Sequence, residues 1–397
     1  MTNAFTEYTG GNDDLLAKAL FVSPSGISYV NGSAKYTGRP QSSSFFDNLN
    51  LGQAVVSNKG ILLTSGDGSP ALINTSSSYT LSTGENGDTQ LNTEVQNAFP
   101  GAGSTRDASI LEFQIMAAAG VKSVSFEVVF GSDEYPEFSS STFVDIAAIF
   151  VNGKNVALFG GNADSPLSVL DNNVAYFQDN TGGGITIEYD GLSKKLKVIA
   201  EVKPGVNDIK IAIADTGDSL YDSGIFVSNI KGSSLSLTGI VNEVLGTEGK
   251  DTLKALKNAD NILFGSAGKD KLIANNGFDI LFGDQDGTDT GLLAVSISRD
   301  KFVFAKNSSS SKKLKDADVI GDWDKKDKID ISKLSKTKFD FIGKKKFHDD
   351  GDPEVRYKTK AKKDFTAVYV DKNGDGKTDL AIKLDGIHTL HDNDFVL

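Results

Sequence analysis

From Gly246 the chain repeats itself every nine to ten residues: GTEGKDTLK, ALKNADNIL, GSAGKDKLI, ANNGFDILF and GDQDGTDTG follow one another, with aspartates at Asp251, Asp260, Asp270, Asp279 and Asp289. A unit this short cannot enclose a core of its own, so the units must stack as coils and bury their apolar faces against one another. The glycines allow left-handed turns, the turn carbonyls and an aspartate converge on a hard cation, and the apolar residue two places on fills the interior. Those apolar positions are Leu253, Ile262, Leu272 and Leu281. Calcium is the cation expected, with Asp251, Asp270 and Asp279 as its carboxylates.

The repeat resembles the glycine-rich nonapeptide of the repeats-in-toxin (RTX) family, Gly-Gly-x-Gly-x-Asp-x-(apolar)-x. The resemblance implies a parallel β-roll with calcium in its turns. Thr247 and Ser266 stand where that pattern has glycine, and the second unit carries Ala255, Leu256 and Asn258 at glycine positions. That unit is expected to be the weakest at holding a metal.

With 397 residues the chain is too long for one ordinary core, and 41 glycines against 8 prolines favour strands joined by tight turns. Between about 110 and 230, the runs SILEFQI, VSFEVVF, VDIAAIFV, GITIEYD, KLKVIAEV, NDIKIAIAD and SGIFVSNI predict an antiparallel sandwich. Gly60 to Thr64 reads as a further strand, and Asp13 to Leu20 as a short helix with an acidic first turn. The fold expected is mostly β: a sandwich over residues 1–240, a short parallel roll over 241–295 and a β-rich cap over 296–397.

There is no cysteine, which removes disulfides and thiolate-bound metals. No apolar run approaches the ~18 residues of a membrane-spanning helix, and the opening MTNAFTEYTGGNDD lacks the plan of a signal peptide. The net charge of −12 comes from residues 1–240, with 13 basic and 25 acidic side chains, whereas residues 241–397 carry 28 of each. Neither part is basic, which argues against nucleic acid as a partner.

Near the end, DKNGDGKTDL sets Asp371, Asn373, Asp375 and Asp379 at positions 1, 3, 5 and 9 of an EF-hand-like loop, but position 12 is Ile382 rather than glutamate. Either a weak cation site or a polar turn would fit. The stretches ADVIGDWDKKDKIDISKL and AVYVDKNGDGKTDLAIKLDG, with the terminal DFVL, resemble the C-terminal region of serralysin-type secreted proteins. That resemblance implies a cap on the roll and an uncleaved address for type I secretion machinery. Serralysins are zinc proteases, yet the His-Glu-x-x-His motif is missing, and the only histidines are His348, His388 and His391. No histidine before residue 241 is available as a base for serine hydrolysis. The protein is therefore not expected to be an enzyme.

The segment GSDEYPEFSSSTFVDIAAIFVNG resembles the signature of bacterial choice-of-anchor L domains. Gly60 to Asp67, Gly87-Asp88, Asp107, Tyr189-Asp190-Gly191 and IADTGDSLYDSGIF agree with it in order. Read as chemistry, Glu134, Asp145, Asp190, Asp215, Asp218 and Asp222 are too many like charges for one set of loops without a counter-ion, and hard oxygen donors suit calcium. Tyr135, Phe138, Phe143 and Tyr221 lie beside them as either a ligand-facing rim or core. The expectation is a secreted or cell-surface calcium-binding protein that recognises a peptide or glycan as an adhesin does. The alternative is a structural protein of a surface layer, filament or biofilm matrix that binds copies of itself.

Overall fold

The computed structural model describes the chain apart from residues 1–3, 22–25, 48, 53, 57–58, 160–162, 172, 234–238, 258, 285–297, 306–309 and 364. Asn258 and Asp289 therefore lie outside the described residues. The chain divides into two compact units, residues Met1–Ile240 and Val241–Leu397.

The first unit is an antiparallel sandwich. In one sheet the strands run in the order Phe5–Glu7, Ser43–Phe46, Gly60–Thr64, Ser223–Ser233, Ser123–Ser132, Leu196–Glu201; in the other, Lys154–Asn155, Ile146–Val151, Gly205–Thr216, Thr105–Ala117, Ile27–Tyr29. Alternation decides the filling. Ile209, Ile211 and Ile213 face Phe113, Ile115, Phe126, Val128 and Phe130 in the layer between the sheets. Ala212 and Ala214 turn the other way and pack with Ile146, Ala148 and Phe150.

That outer layer is closed by helix α2, Thr89–Ala98, through Leu91 and Val95. The helix is absent from the sequence reading, although its start was visible: Asp88 is a good N-cap, and its carboxylate accepts from the main-chain N–H groups of Gln90 and Leu91, each at 3.0 Å. Covered on both faces, the strand Ile146–Val151 is buried throughout, which explains its unbroken apolar run. Helix α1, Asp14–Ala19, and the strand Gly60–Thr64 form where expected. Among the described residues no helix is long and apolar enough to cross a membrane.

One predicted strand fails. GITIEYD keeps its alternation, with Ile185, Ile187 and Tyr189 buried, but it has no strand partner before Gly191. The side chain of Asn180 takes that role: its amide donates to the carbonyls of Ile187 (3.0 Å) and Tyr189 (2.9 Å), and its oxygen accepts from Ile185 N–H at 2.6 Å. A single buried amide thus replaces a neighbouring strand.

The second unit is a parallel roll. On one side Gly239–Leu245, Asn261–Phe264, Asp279–Phe282, Asp318–Ile320 and Leu380–Asp385 pair in succession; on the other, Thr252–Lys254, Lys271–Ile273, Lys301–Ala305, Lys328–Lys333 and Phe395–Val396. Consecutive repeats fall on opposite sides, so one coil takes two repeats. The repeat pattern fades near residue 295, yet parallel pairing continues to Phe395 because later apolar residues fill the same interior: Phe302, Ile320, Ile329, Ile382 and Phe395 join Leu253, Leu272 and Leu281. An antiparallel meander of Glu354–Lys360, Phe365–Asp371 and Leu380–Asp385 is built onto this stack.

The second repeat was read one residue out of register. Asn261 pairs with Asp279 and Leu263 with Leu281, so Leu263 fills the interior cluster where Ile262 was expected. Ile262 is buried outside that cluster. Parallel neighbours fix the frame, and a slip of one residue reverses every side chain.

Candidate functional site

Five of the sandwich acids come together at one end of the core. Asp215 continues the inward row of Ile209, Ile211 and Ile213, past a break in strand register between Ile213 and Asp215. Such a bulge re-aims a side chain at the end of a ladder. Glu134 follows the strand Ser123–Ser132, Asp145 precedes Ile146–Val151, and Asp222 precedes Ser223–Ser233. Glu134, Asp145, Asp215 and Asp222 are each no more than 1% exposed.

Hydrogen bonds stabilise part of the cluster. Glu134 accepts from Asp145 N–H at 2.8 Å, and Asp145 accepts from Ser223 Oγ at 2.7 Å and Thr216 N–H at 3.2 Å. Asp222 accepts from Leu81 N–H at 2.8 Å through one oxygen. Its other oxygen and both oxygens of Asp215 are buried without a hydrogen bond of good geometry; the Ser65 hydroxyl near Asp215 and the Asp67 main chain near Asp222 offset the burial only in part.

An unpartnered buried carboxylate oxygen is costly, and more so beside like charges. Burial, reinforced by the surrounding carboxylates, pushes Glu134, Asp145 and Asp215 well above the usual range and Asp222 up to about 7. Asp218, the outermost of the five, is also raised by burial, though Arg106 opposes the shift. No lysine or arginine is among the leading influences on Glu134, Asp145, Asp215 or Asp222, although Arg106 pairs in register with Asp215.

Asp190 does not join these five. It lies 3% exposed in a second group with Asp133 and Glu188, where its carboxylate accepts from Asn74 Nδ2 at 2.6 Å. Burial, with Asp190 and Glu188 beside it, raises Asp133 to about 8, and one of its oxygens is buried without a partner. The strand register explains the split: Gly191 pairs with Ser132, which puts Asp190 next to Asp133 and not Glu134.

Two of the strained backbone positions lie beside the first group. Asp107 and Tyr221 hold φ of 49° and 62°, a region unfavourable to ordinary side chains and rarer still for a bulky one. Gly66 lies so close that a Cβ there would sit 1.7 Å from Asp222 Oδ2. The flanking aromatics divide. Tyr135 is core and stacks on Phe177, whereas Phe143 is 41% and Leu220 49% exposed, and Phe138 packs on Tyr221 at 4.8 Å between ring centres.

In the roll, aspartates form ladders across coils. Asp251 N–H donates to Asp270 Oδ1 (2.7 Å), Asp270 N–H to Asp300 Oδ1 (2.7 Å) and Asp300 N–H to Asp327 Oδ1 (2.9 Å). On the other side Asn261 Nδ2 donates to Asp279 Oδ1 (2.7 Å) and Asp279 N–H to Asp318 Oδ1 (3.0 Å). The second oxygens of Asp270 and Asp318 are buried without partners. Burial raises Asp270 and Asp279 to about 6, Asp322 to about 7 and Asp327 to about 8.

Asp300, Asp318, Asp322 and Asp327 escaped the sequence reading because the spacing between coils stretches beyond residue 284. Each does stand just before or close to a strand of the roll, a signal available once the later strands are counted as coils.

The EF-hand-like loop joins Phe365–Asp371 to Leu380–Asp385 as a hairpin. Asp371 accepts from the N–H groups of Asn373, Gly374 and Gly376, Asn373 Oδ1 from Asp375 N–H, and Asp379 from Lys372 N–H. Asp375 accepts from Lys377 N–H. These bonds build a polar turn, and a cation there rests on sequence spacing alone. Among the described residues, only His348, Asp350 and Glu354 bring three side-chain ligand atoms within 4.8 Å of one another. Glu354 already accepts from His348 N–H and contacts Nδ1 of the same residue, which accounts for that closeness.

The carboxylates of the sandwich and the roll fit calcium by two observations: buried oxygens lacking partners, and a donor set of oxygen alone. No three of these acids form a closed carboxylate cage among the described residues, so carbonyls and hydroxyls would supply the remaining ligands.

Residues 6–235 match the choice-of-anchor L domain family, and residues 207–397 match the serralysin C-terminal domain of the M10 peptidases. A search of curated proteins finds no match. Among solved structures the chain is similar to the AlgE6R3 subunit of the Azotobacter vinelandii mannuronan C5-epimerase, at 22% identity over 39% of this chain and 77% of that one, with a TM-score of 0.28. The AlgE6R2 subunit of the same epimerase is 21% identical over 39% of this chain and 92% of that one, with a TM-score of 0.25.

Proposed function

The chain belongs to the choice-of-anchor L domain family, and from that premise we propose that it is a secreted calcium-binding protein whose sandwich recognises an extracellular peptide or glycan. The observation that carries the calcium is Asp215, a fully buried carboxylate with neither oxygen in a well-formed hydrogen bond. The cluster of Glu134, Asp145, Asp215, Asp218 and Asp222 would draw in an ion, held directly by no more than two of these carboxylates together with carbonyl and hydroxyl oxygens, and Asp133, Glu188 and Asp190 are a second donor group. In the roll, Asp251, Asp270 and Asp300 on one side and Asp279 and Asp318 on the other are the donors. Bound calcium supplies the positive charge that these carboxylates lack.

The sandwich acids join strand ends from widely separated segments, so neutralising them draws together the loops that bear Phe138, Phe143, Leu220 and Tyr221. The exposed Phe143 and Leu220, with the half-buried Phe138 and Tyr221 pair beside them, support a ligand-facing rim. The match of residues 207–397 to a serralysin C-terminal domain supports type I export and folding outside the cell, where calcium is abundant. Both matched domain types are non-catalytic, which supports a binding rather than an enzymatic role.

Calcium titration calorimetry of the chelator-stripped full chain tests this. Heat that Asp215→Asn removes in part supports the sandwich site, and an unchanged isotherm rejects it. Light scattering during the same titration separates the two partners: monomers that retain a ligand support recognition, and ordered polymers support self-association.

A further inference from the structure

Five to seven residues down the strand Gly205–Thr216 from Asp215, or roughly 17–24 Å at ~3.4 Å per residue, the outer face of the same sheet carries a half-open groove of about 610 Å³. Its floor is a cross-strand row. Lys35 pairs in register with Glu112, and Glu112 with Lys210. The next row is Gln114 opposite Asp208, joined by a 2.9 Å bond from Gln114 Nε2. Gln90, from the first turn of α2, forms part of the wall.

The Lys210 side chain is only 11% exposed, and its ammonium is held at 2.7 Å by Asp88 Oδ2 and 2.8 Å by Gln90 Oε1. It has three N–H donors, so two such bonds leave one. The Asp88 pair also tethers α2 to the sheet, which accounts for Lys210 but not for the interleaved row beside it.

The lining selects a ligand class. Lys35 and Lys210 stand against Glu112, Asp208 and the Asp88 that pairs with Lys210, so the local charge is small and slightly negative, which disfavours polyanions and gives polycations little to gain. Asp208 and Lys210 lie on a central strand whose main-chain groups are used in pairing with Thr105–Ala117 and Ile146–Val151, and on the outer strand Lys35–Thr37 the Tyr36 N–H is already taken by Asp13, so an added peptide strand has little edge to join. The Lys210 ammonium covers the Phe150 ring at 5.5 Å, and Phe150 is buried, so no aromatic platform is open for stacking. What remains is an alternation of carboxylate, ammonium and amide, which offers acceptors and donors in turn to neighbouring hydroxyls. The groove volume falls in the usual range for small-ligand sites. We propose that this groove binds a neutral oligosaccharide through Glu112, Gln114, Asp208 and Lys210, independently of the acidic cluster.

The test uses the full chain in calcium, with cellohexaose, maltohexaose and mannohexaose as neutral probes and oligogalacturonate as the acidic control, read by saturation-transfer NMR and calorimetry. At least one neutral probe should bind. Glu112→Ala and Gln114→Ala, which alter solvent-facing side chains, should each weaken it at least fivefold while leaving the melting temperature unchanged. Asp215→Asn should leave that affinity intact even where it weakens calcium binding, which keeps the two sites' failures apart. Absence of binding by all three neutral probes, binding of oligogalacturonate alone, or affinity that survives both groove substitutions but not Asp215→Asn would each overturn the assignment.

Discussion

The sandwich cluster and the roll ladders both bury aspartate, but they neutralise it differently. In the roll, Asp270 and Asp300 each accept an N–H from the preceding coil, so stacking itself supplies one partner per carboxylate. In the sandwich, Asp215 has no main-chain partner and only the Ser65 hydroxyl nearby, and its neighbours come from segments as distant as Glu134 and Asp222. The same demand for a cation thus arises by repetition in one unit and by tertiary closure in the other. Repetition distributes the cost over many coils. Closure concentrates it at one point, where strained Tyr221 and close-packed Gly66 also lie.

The largest expected effect is that of removing calcium. At a thousandfold excess over Kd, one site contributes about 4 kcal/mol, which for a unit of this size is roughly 8–16 °C in melting temperature. Calorimetry with and without chelator should show this loss, with the roll falling furthest because several sites act on it together. Equal shifts in both units would erase the contrast, and no shift in either would remove calcium from the account.

Asp215→Asn should come next, with a sign that depends on calcium. With the ion present it should weaken sandwich binding at least tenfold, or about 1.4 kcal/mol. In chelator the same change should raise the melting temperature, because it removes a buried charge from a like-charged cluster. A loss under both conditions would mean that Asp215 has only a packing role.

A smaller effect concerns pH. Folded-state values of about 7 for Asp222 and about 8 for Asp133, with about 6 for Asp270 and Asp279, lie above the unfolded value near ~4. The folded state therefore holds more protons across this window, and metal-free stability should fall as pH rises from about 5 to about 8. Chelated protein melted at several pH values tests the slope, and a rise instead would contradict the assigned burial. Calcium should flatten or reverse the slope, since binding expels those protons.

The smallest difference separates two substitutions at one roll position. Asp270→Asn keeps an oxygen for Asp251 N–H and loses only charge, whereas Asp270→Ala also abandons that bond, at about 1 kcal/mol. In chelator the alanine variant should melt a few degrees below the asparagine variant. Identical melting would show that the ladder contributes nothing beyond its metal.

Much of the architecture was legible in the sequence because its periods are local. Alternation at Ile209, Ile211 and Ile213 predicts one buried face, and the recurrence of aspartate, glycine and leucine predicts stacked coils with an oxygen-lined edge. Even the position of Asp215 in the inward row follows from counting by twos. The tertiary structure decided what those periods leave open. It chose Asn261 over Asp260 for the turn, because register is imposed by a neighbouring coil 18 residues on. It sent Asp190 to Asp133 rather than Glu134, because pairing of Gly191 with Ser132 sets which strand ends meet. And it replaced a strand with the Asn180 side chain, because a buried backbone needs partners but does not dictate where they come from.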